Sequence, residues 1–239
     1  SQNKQANYFI DTILNLNPDF FNTPEKNTYA GLIKGTLITY GDDDKVYTDA
    51  FDSFDKALKL DSEYLPARYL KSKFLIEKGY KDYVFSGDRY LFELAYENII
   101  KSKTTSYNSS FIRISEIDYF NLLAKSAILT KRYDQSINFS NYVIKIDNRN
   151  PQALGKIGTA YLNLNQTDKA YTFLSQALIN SSKNDFIYFD YYFFKMYRAY
   201  ALKKLGLLEY NKSKYDEACE LFLELEQELQ PSSFLNDNS

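Results

Sequence analysis

Few side chains in this sequence are suited to covalent chemistry. It has no histidine, so the commonest general base and the commonest metal ligand are both missing. Its one cysteine, Cys219, excludes an internal disulfide. That cysteine follows Ala218 on an apolar helical stripe, where packing accounts for a small thiol better than reactivity does. The turn Gly41-Asp42-Asp43-Asp44 offers carboxylates to a cation. It has neither the glycine at the sixth loop position nor the closing bidentate glutamate of a calcium loop, and reads as a solvated turn. Glu226 and Glu228 are paired carboxylates, but they fall in a stretch that reads as the end of a helix. No Ser–His–Asp set, zinc-ligand spacing or glycine-rich phosphate loop is present. No catalytic residue, cofactor or metal ligand is expected.

The side chains that remain are ones that bind. Lys and Arg are spread evenly and the formal charge is −2, so there is no basic stripe of the kind that neutralises phosphates, and no nucleic-acid partner is expected. No uninterrupted apolar span of about 18 residues exists, so no transmembrane segment is expected. The richest apolar run, Phe186 to Tyr200, is broken by Asp190, Lys195 and Arg198. It carries Phe186, Tyr188, Tyr191, Tyr192, Phe194 and Tyr197, with aromatics almost all round the helix, more than one buried stripe requires. Either this helix is sandwiched between neighbours, or its rings form a patch that docks a partner protein or a second copy.

The elements that must position these residues are helices. Eight Gly and five Pro in 239 residues are few for a turn-rich β fold. The clearest signal is Pro151 to Asn184, where Leu154, Ile157, Gly158, Tyr161, Ala170, Leu174 and Ala177 recur at one set of spacings. Those residues resemble a tetratricopeptide (TPR) repeat, a helix–turn–helix of about 34 residues. Used as a ruler, the pattern recurs. Second helices match at Ala6, Ile10, Ile13 and Leu16; at Ala50, Phe54, Ala57 and Leu60; at Ser136, Ser140, Val143 and Ile146; and at Ala218, Phe222, Leu225 and Leu229. Phe92, Tyr96, Ile99 and Ile100 match more loosely. Spacings of three and four place each set on one face, where small residues let paired helices approach.

First helices are then expected at Pro24 to Tyr40, Pro66 to Lys78 with Gly79 as its stop, Ser110 to Lys131, Gln152 to Leu164 and Phe186 to Glu209. Tyr80 to Gly87 is an insertion of two helical turns or a loop. The resemblance implies an all-α, TPR-type alpha-alpha superhelical solenoid of about five helix–turn–helix units plus an N-terminal helix. Repeats would cover 23–62, 65–103, 109–150, 151–184 and 186–231 of a single domain spanning 1–231. A solitary or half-repeat helix at 4–16 precedes them, and a tail at 232–239 is expected to be disordered.

The resemblance also implies a groove lined by first helices. Its expected positions are Tyr69 and Lys73 in the second unit, Asn121 and Lys125 in the third, Lys156, Thr159 and Asn163 in the fourth, and Tyr200, Lys203 and Lys204 in the fifth, with Leu162 and Leu207 among their apolar neighbours. Such a mix grips an extended peptide or helix of another protein. The Lys–Asn–Asn–Lys–Arg set with which one TPR subtype clamps the acidic tail of chaperones is not reproduced by Asn121, Lys125, Lys156 and Thr159. The implied function is a non-enzymatic adaptor or scaffold. Alternatives are a structural subunit that forms a homo-oligomer through helix 186–200, and a regulatory module of a larger protein. The bias to Asn, Lys, Ile, Tyr and Phe is that of an AT-rich bacterial genome. With the polar, Met-less start Ser1-Gln2-Asn3-Lys4, a processed form or a cut piece, it favours a periplasmic or envelope-associated setting over a cytoplasmic one.

Overall fold

A computed structural model of the protein describes residues 23–36, 44–109, 112–181, 188–209 and 211–228. The expected helix at 4–16, most of the acidic turn at 41–44 and the tail at 232–239 lie outside these residues. The chain divides into two compact units, the first ending at Thr130 and the second starting at Lys131.

In the first unit, α1 (Pro24–Thr36) packs against α2 (Asp44–Leu60), and α3 (Leu65–Ser86) against α4 (Tyr90–Ile99). The face of α2 that makes this possible is Ala50, Phe54 and Ala57, all fully buried. Phe54 also stacks on Phe74 of α3, with ring centroids 5.8 Å apart. Burying a side chain of that size contributes about 1.5–3 kcal/mol.

The third helix departs from expectation. Pro66 stands in its first turn, where a missing N–H costs nothing. The helix does not stop at Gly79: it continues two turns to Ser86 and ends on Gly87, whose φ of 69° is left-handed. The Gly87 N–H donates to the Tyr83 carbonyl at 2.9 Å. Gly79 is instead a point of close approach, since a Cβ there would lie 2.6 Å from the Phe92 ring. The added turns carry Tyr80 and Tyr83, which pack on Phe92 with centroids 5.4 and 6.0 Å away.

The expected long helix from Ser110 is also corrected. A two-stranded hairpin, β1 (Tyr107–Asn108) against β2 (Arg113–Ile114), precedes α5 (Glu116–Leu129). The helix starts late because Ser115 and Asp118 form a capping box. The Asp118 N–H donates to Ser115 Oγ at 3.1 Å, and the Ser115 N–H donates to Asp118 Oδ2 at 3.0 Å. Two amides that no carbonyl of the helix could reach are thereby satisfied.

The second unit holds α6 (Tyr133–Ile146), α7 (Pro151–Asn163), α8 (Thr167–Ile179), α9 (Tyr188–Leu208) and α10 (Lys212–Glu228). α7 packs on α8 and α9 on α10, with α6 against α7 and α8 against α9. Leu154, Ala170, Leu174, Ala177, Phe194 and Ala201 form one buried cluster. Asn150 caps α7, its Oδ1 accepting from the Ala153 N–H at 3.1 Å, with Pro151 as the first helical residue. α9 is long, as expected. Arg198 ties it to both neighbours, donating to Ser175 Oγ of α8 at 3.1 Å and to Glu217 Oε1 of α10 at 2.6 Å. Ala218 and Leu225 are the buried positions of α10. Cys219 is exposed, not in the core as its neighbour suggested. One residue along a helix turns the side chain by about 100°, out of the Ala218 stripe.

Candidate protein-docking groove

An open cavity of about 460 Å³ lies between the C-terminal halves of α7 and α9, lined by Leu162, Asn163, Tyr197, Tyr200, Lys203, Lys204 and Leu207. Residues 197, 200, 204 and 207 are three or four apart and share one face of α9, and Leu162 and Asn163 end α7. Tyr200 is 51% and Leu207 58% exposed, so the cavity presents apolar surface to water at its mouth. The Tyr200 ring is held edge-on against Phe222 of α10, with centroids 5.3 Å apart at 82°. The Asn163 amide donates to the Thr159 carbonyl at 2.9 Å. Lys204 Nζ donates to Asn165 Oδ1 at 2.6 Å, and Asn165 itself sits in the α7–α8 turn with a left-handed φ of 60°. Burial first, then the nearby Tyr133 and Tyr200, pushes the Tyr197 hydroxyl above its ordinary pKa. The described lining carries two ammonium groups and no carboxylate.

The expected residues of the first unit form a different surface. Lys73 is exposed and Tyr69 and Lys125 are half-buried. Burial, helped by Asp118, pushes the Tyr69 phenol up to about 12. Lys125 Nζ lies over the Tyr80 ring, 5.5 Å from its centroid. Glu77 faces Lys73, Lys125 and Lys81; desolvation raises its carboxyl even though the three lysines pull the other way. Glu77 was not among the expected residues. Its signal was present in the sequence, as a carboxylate four residues from Lys73 and four from Lys81 on one helix.

Three expected groove residues are corrected. Asn121, Lys156 and Thr159 are buried, not exposed on a groove. α9 covers the middle of α7: a Cβ on Gly155 would lie 2.1 Å from the Phe194 ring. Beside that contact Thr159 Oγ1 donates to the Gly155 carbonyl at 2.8 Å and Lys156 Nζ to the Gln152 carbonyl at 3.3 Å. Asn121 belongs to α5, which packs on both α3 and α4. Phe194, expected in an aromatic patch, is a buried member of the core. Tyr197 is half-buried and lines the cavity. Phe186 and the side chains of Tyr188, Tyr191 and Tyr192 lie outside the described residues. Among the described residues no helix is long and apolar enough to cross a membrane, and no three acidic or sulfur-bearing groups gather as a metal site.

Paired helices that bury small residues at their contact, such as Ala50 and Ala57 or Ala170 and Ala177, define a helix–turn–helix repeat fold. No protein-family model matches the sequence, and no curated protein does. Among solved structures the chain is similar to YrrB, described as a TPR protein with an unusual peptide-binding site, at 12% identity, covering 92% of this chain and 93% of that one with a TM-score of 0.58. It is similar to MamA at 18% identity, covering 85% and 94%, with a TM-score of 0.54. It is also similar to pilF of Pseudomonas aeruginosa at 13% identity, covering 90% and 88%, with a TM-score of 0.54. At these identities the likeness is one of fold. The fold is the all-α tetratricopeptide-repeat fold.

Proposed function

We propose that this protein is a non-enzymatic adaptor that docks a segment of another protein on the first-helix face of its repeats, and that the α7–α9 cavity is the docking point. The repeats would be the helix pairs at 23–62, 65–103, 109–150, 151–184 and 186–231. The observation that carries this reading is the cavity itself, open to solvent and lined by Leu162 and Asn163 of α7 and, on α9, by exposed Tyr200 and Leu207 beside Lys203 and Lys204. Rings and aliphatic side chains left at the mouth of a preformed cleft are the usual anchors of an interface. Each is about half exposed, so covering it fully would contribute about half of the roughly 1.5–3 kcal/mol of burying a whole side chain. Because packed helices fix the cleft in advance, little ordering cost falls on this chain. The peptide-binding site named for YrrB supports a similar use of the fold here. The alternative, oligomerisation through the aromatic helix, loses Phe194, which is spent on the core.

The test is affinity capture with quantitative mass spectrometry, comparing the wild type with a Lys203→Glu, Leu207→Glu double variant. Both positions are exposed, so circular dichroism should be unchanged. Partners should be lost from the double variant and kept by Tyr142→Ala, a change at an exposed residue of α6. Equal recovery by all three proteins would sink the proposal.

A further inference from the structure

The chemistry of the docked segment can be read from the cavity. We infer that the α7–α9 cavity selects an acidic segment carrying one bulky apolar side chain, an inference that rests on the docking reading above. Leu162, Tyr197 and Leu207 supply apolar lining, and about 460 Å³ lies in the range of clefts that enclose small ligands, roughly 300–1,000 Å³. That is room for one leucine or phenylalanine side chain together with its backbone.

Charge decides what flanks the anchor. Leu207 is four residues on from Lys203 and three on from Lys204, so both ammonium stems are its neighbours on the helix surface. Lys204 is already oriented by its 2.6 Å bond to Asn165. An ammonium has three donors, so two remain for a partner. Asn165 is held in a left-handed conformation in the turn, one that asparagine adopts more readily than most residues. A lysine fixed in this way loses less freedom when it binds. The lysines of the first unit have a carboxylate of their own, since Lys73, Lys81 and Lys125 all face Glu77. The described lining of the α7–α9 cavity contains no such group. The matching charge is therefore left to the partner, as aspartate or glutamate within a residue or two of the anchor. A basic segment would be repelled.

Fluorescence anisotropy with three labelled peptides tests this: acetyl-Asp-Glu-Phe-Glu-Asp-amide, the same peptide with Ala for Phe, and acetyl-Lys-Lys-Phe-Lys-Lys-amide. The acidic phenylalanine peptide should bind best, weakening about tenfold or more with the Ala peptide and with Lys203→Glu, Lys204→Glu protein. Its binding should also fall as salt rises. If the basic peptide binds as well, and Leu207→Glu abolishes both, the cavity docks peptides but the charge selection is wrong. Should none of the peptides bind while captured partners still depend on Leu207, docking stands and the stated ligand class is overturned. If neither peptides nor partners depend on Leu207, the docking reading falls with it.

Discussion

α7 and α8 meet where Gly158 faces Leu174. A Cβ built on Gly158 would lie 2.6 Å from Leu174 Cγ and 3.0 Å from the Leu174 backbone nitrogen. Gly158→Ala therefore sets two effects against each other. On an exposed helix the change stabilises by about 1 kcal/mol. Here the methyl group must be forced into a filled contact, which costs about 1–3 kcal/mol. Because one limiting atom is backbone, no rotation of Leu174 clears it, and a net loss of up to about 2 kcal/mol is expected. Leu174 is fully buried, so Leu174→Ala alone should cost about 3–5 kcal/mol. In that second background the Cγ and Cδ2 contacts are gone and only the backbone one remains. Gly158→Ala should then cost about 1–2 kcal/mol less than in the wild type, and that difference is the coupling energy. Urea unfolding followed by far-ultraviolet circular dichroism measures it, since the protein has no tryptophan to report by fluorescence. The reading requires midpoints that shift at unchanged m. Additivity of the two changes within about 0.5 kcal/mol would refute the register of the helix pair.

Two further outcomes follow from the first unit. Tyr69 has a folded pKa of about 12 against an ordinary 10.0. A raised pKa means its contribution is complete below pH 10 and is lost as the pH rises towards 12; alkaline unfolding should become shallower in that window in Tyr69→Phe, and ultraviolet titration should show one fewer late-ionising phenol. Ser115→Ala should cost about 1 kcal/mol by removing the α5 cap, while Ser115→Asn should keep most of it, as thermal melts will show.

The helix pairs were legible because their signal is local. Ala50, Phe54 and Ala57, or Leu154, Ala170, Leu174 and Ala177, reveal a buried face through spacing alone. Gly79 misled because a glycine is read as punctuation, whereas its reason for being small is Phe92, thirteen residues on and across a helix contact. The Ser115–Asp118 box is a local signal too, and it sets the helix N-cap five residues beyond Ser110. At the candidate site, Asn163, Tyr200, Lys203 and Lys204 line one cavity. Lys156 and Thr159 do not: they are buried in the turn where Gly155 meets Phe194 of α9, and accessibility depends on the element packed across rather than on the helix itself. Cys219 shows the converse: a residue beside a buried one on a helix faces elsewhere.

The most direct test is site-specific photocrosslinking. A photoreactive phenylalanine analogue replaces Tyr200, at the cavity mouth, or Tyr142, equally exposed on α6, and crosslinks are collected in cells that make the partner. A partner adduct is expected from position 200, lost with Lys203→Glu and Leu207→Glu, and none from position 142. An adduct from position 142 alone would place the docking surface on the second helices and contradict docking at the α7–α9 cavity.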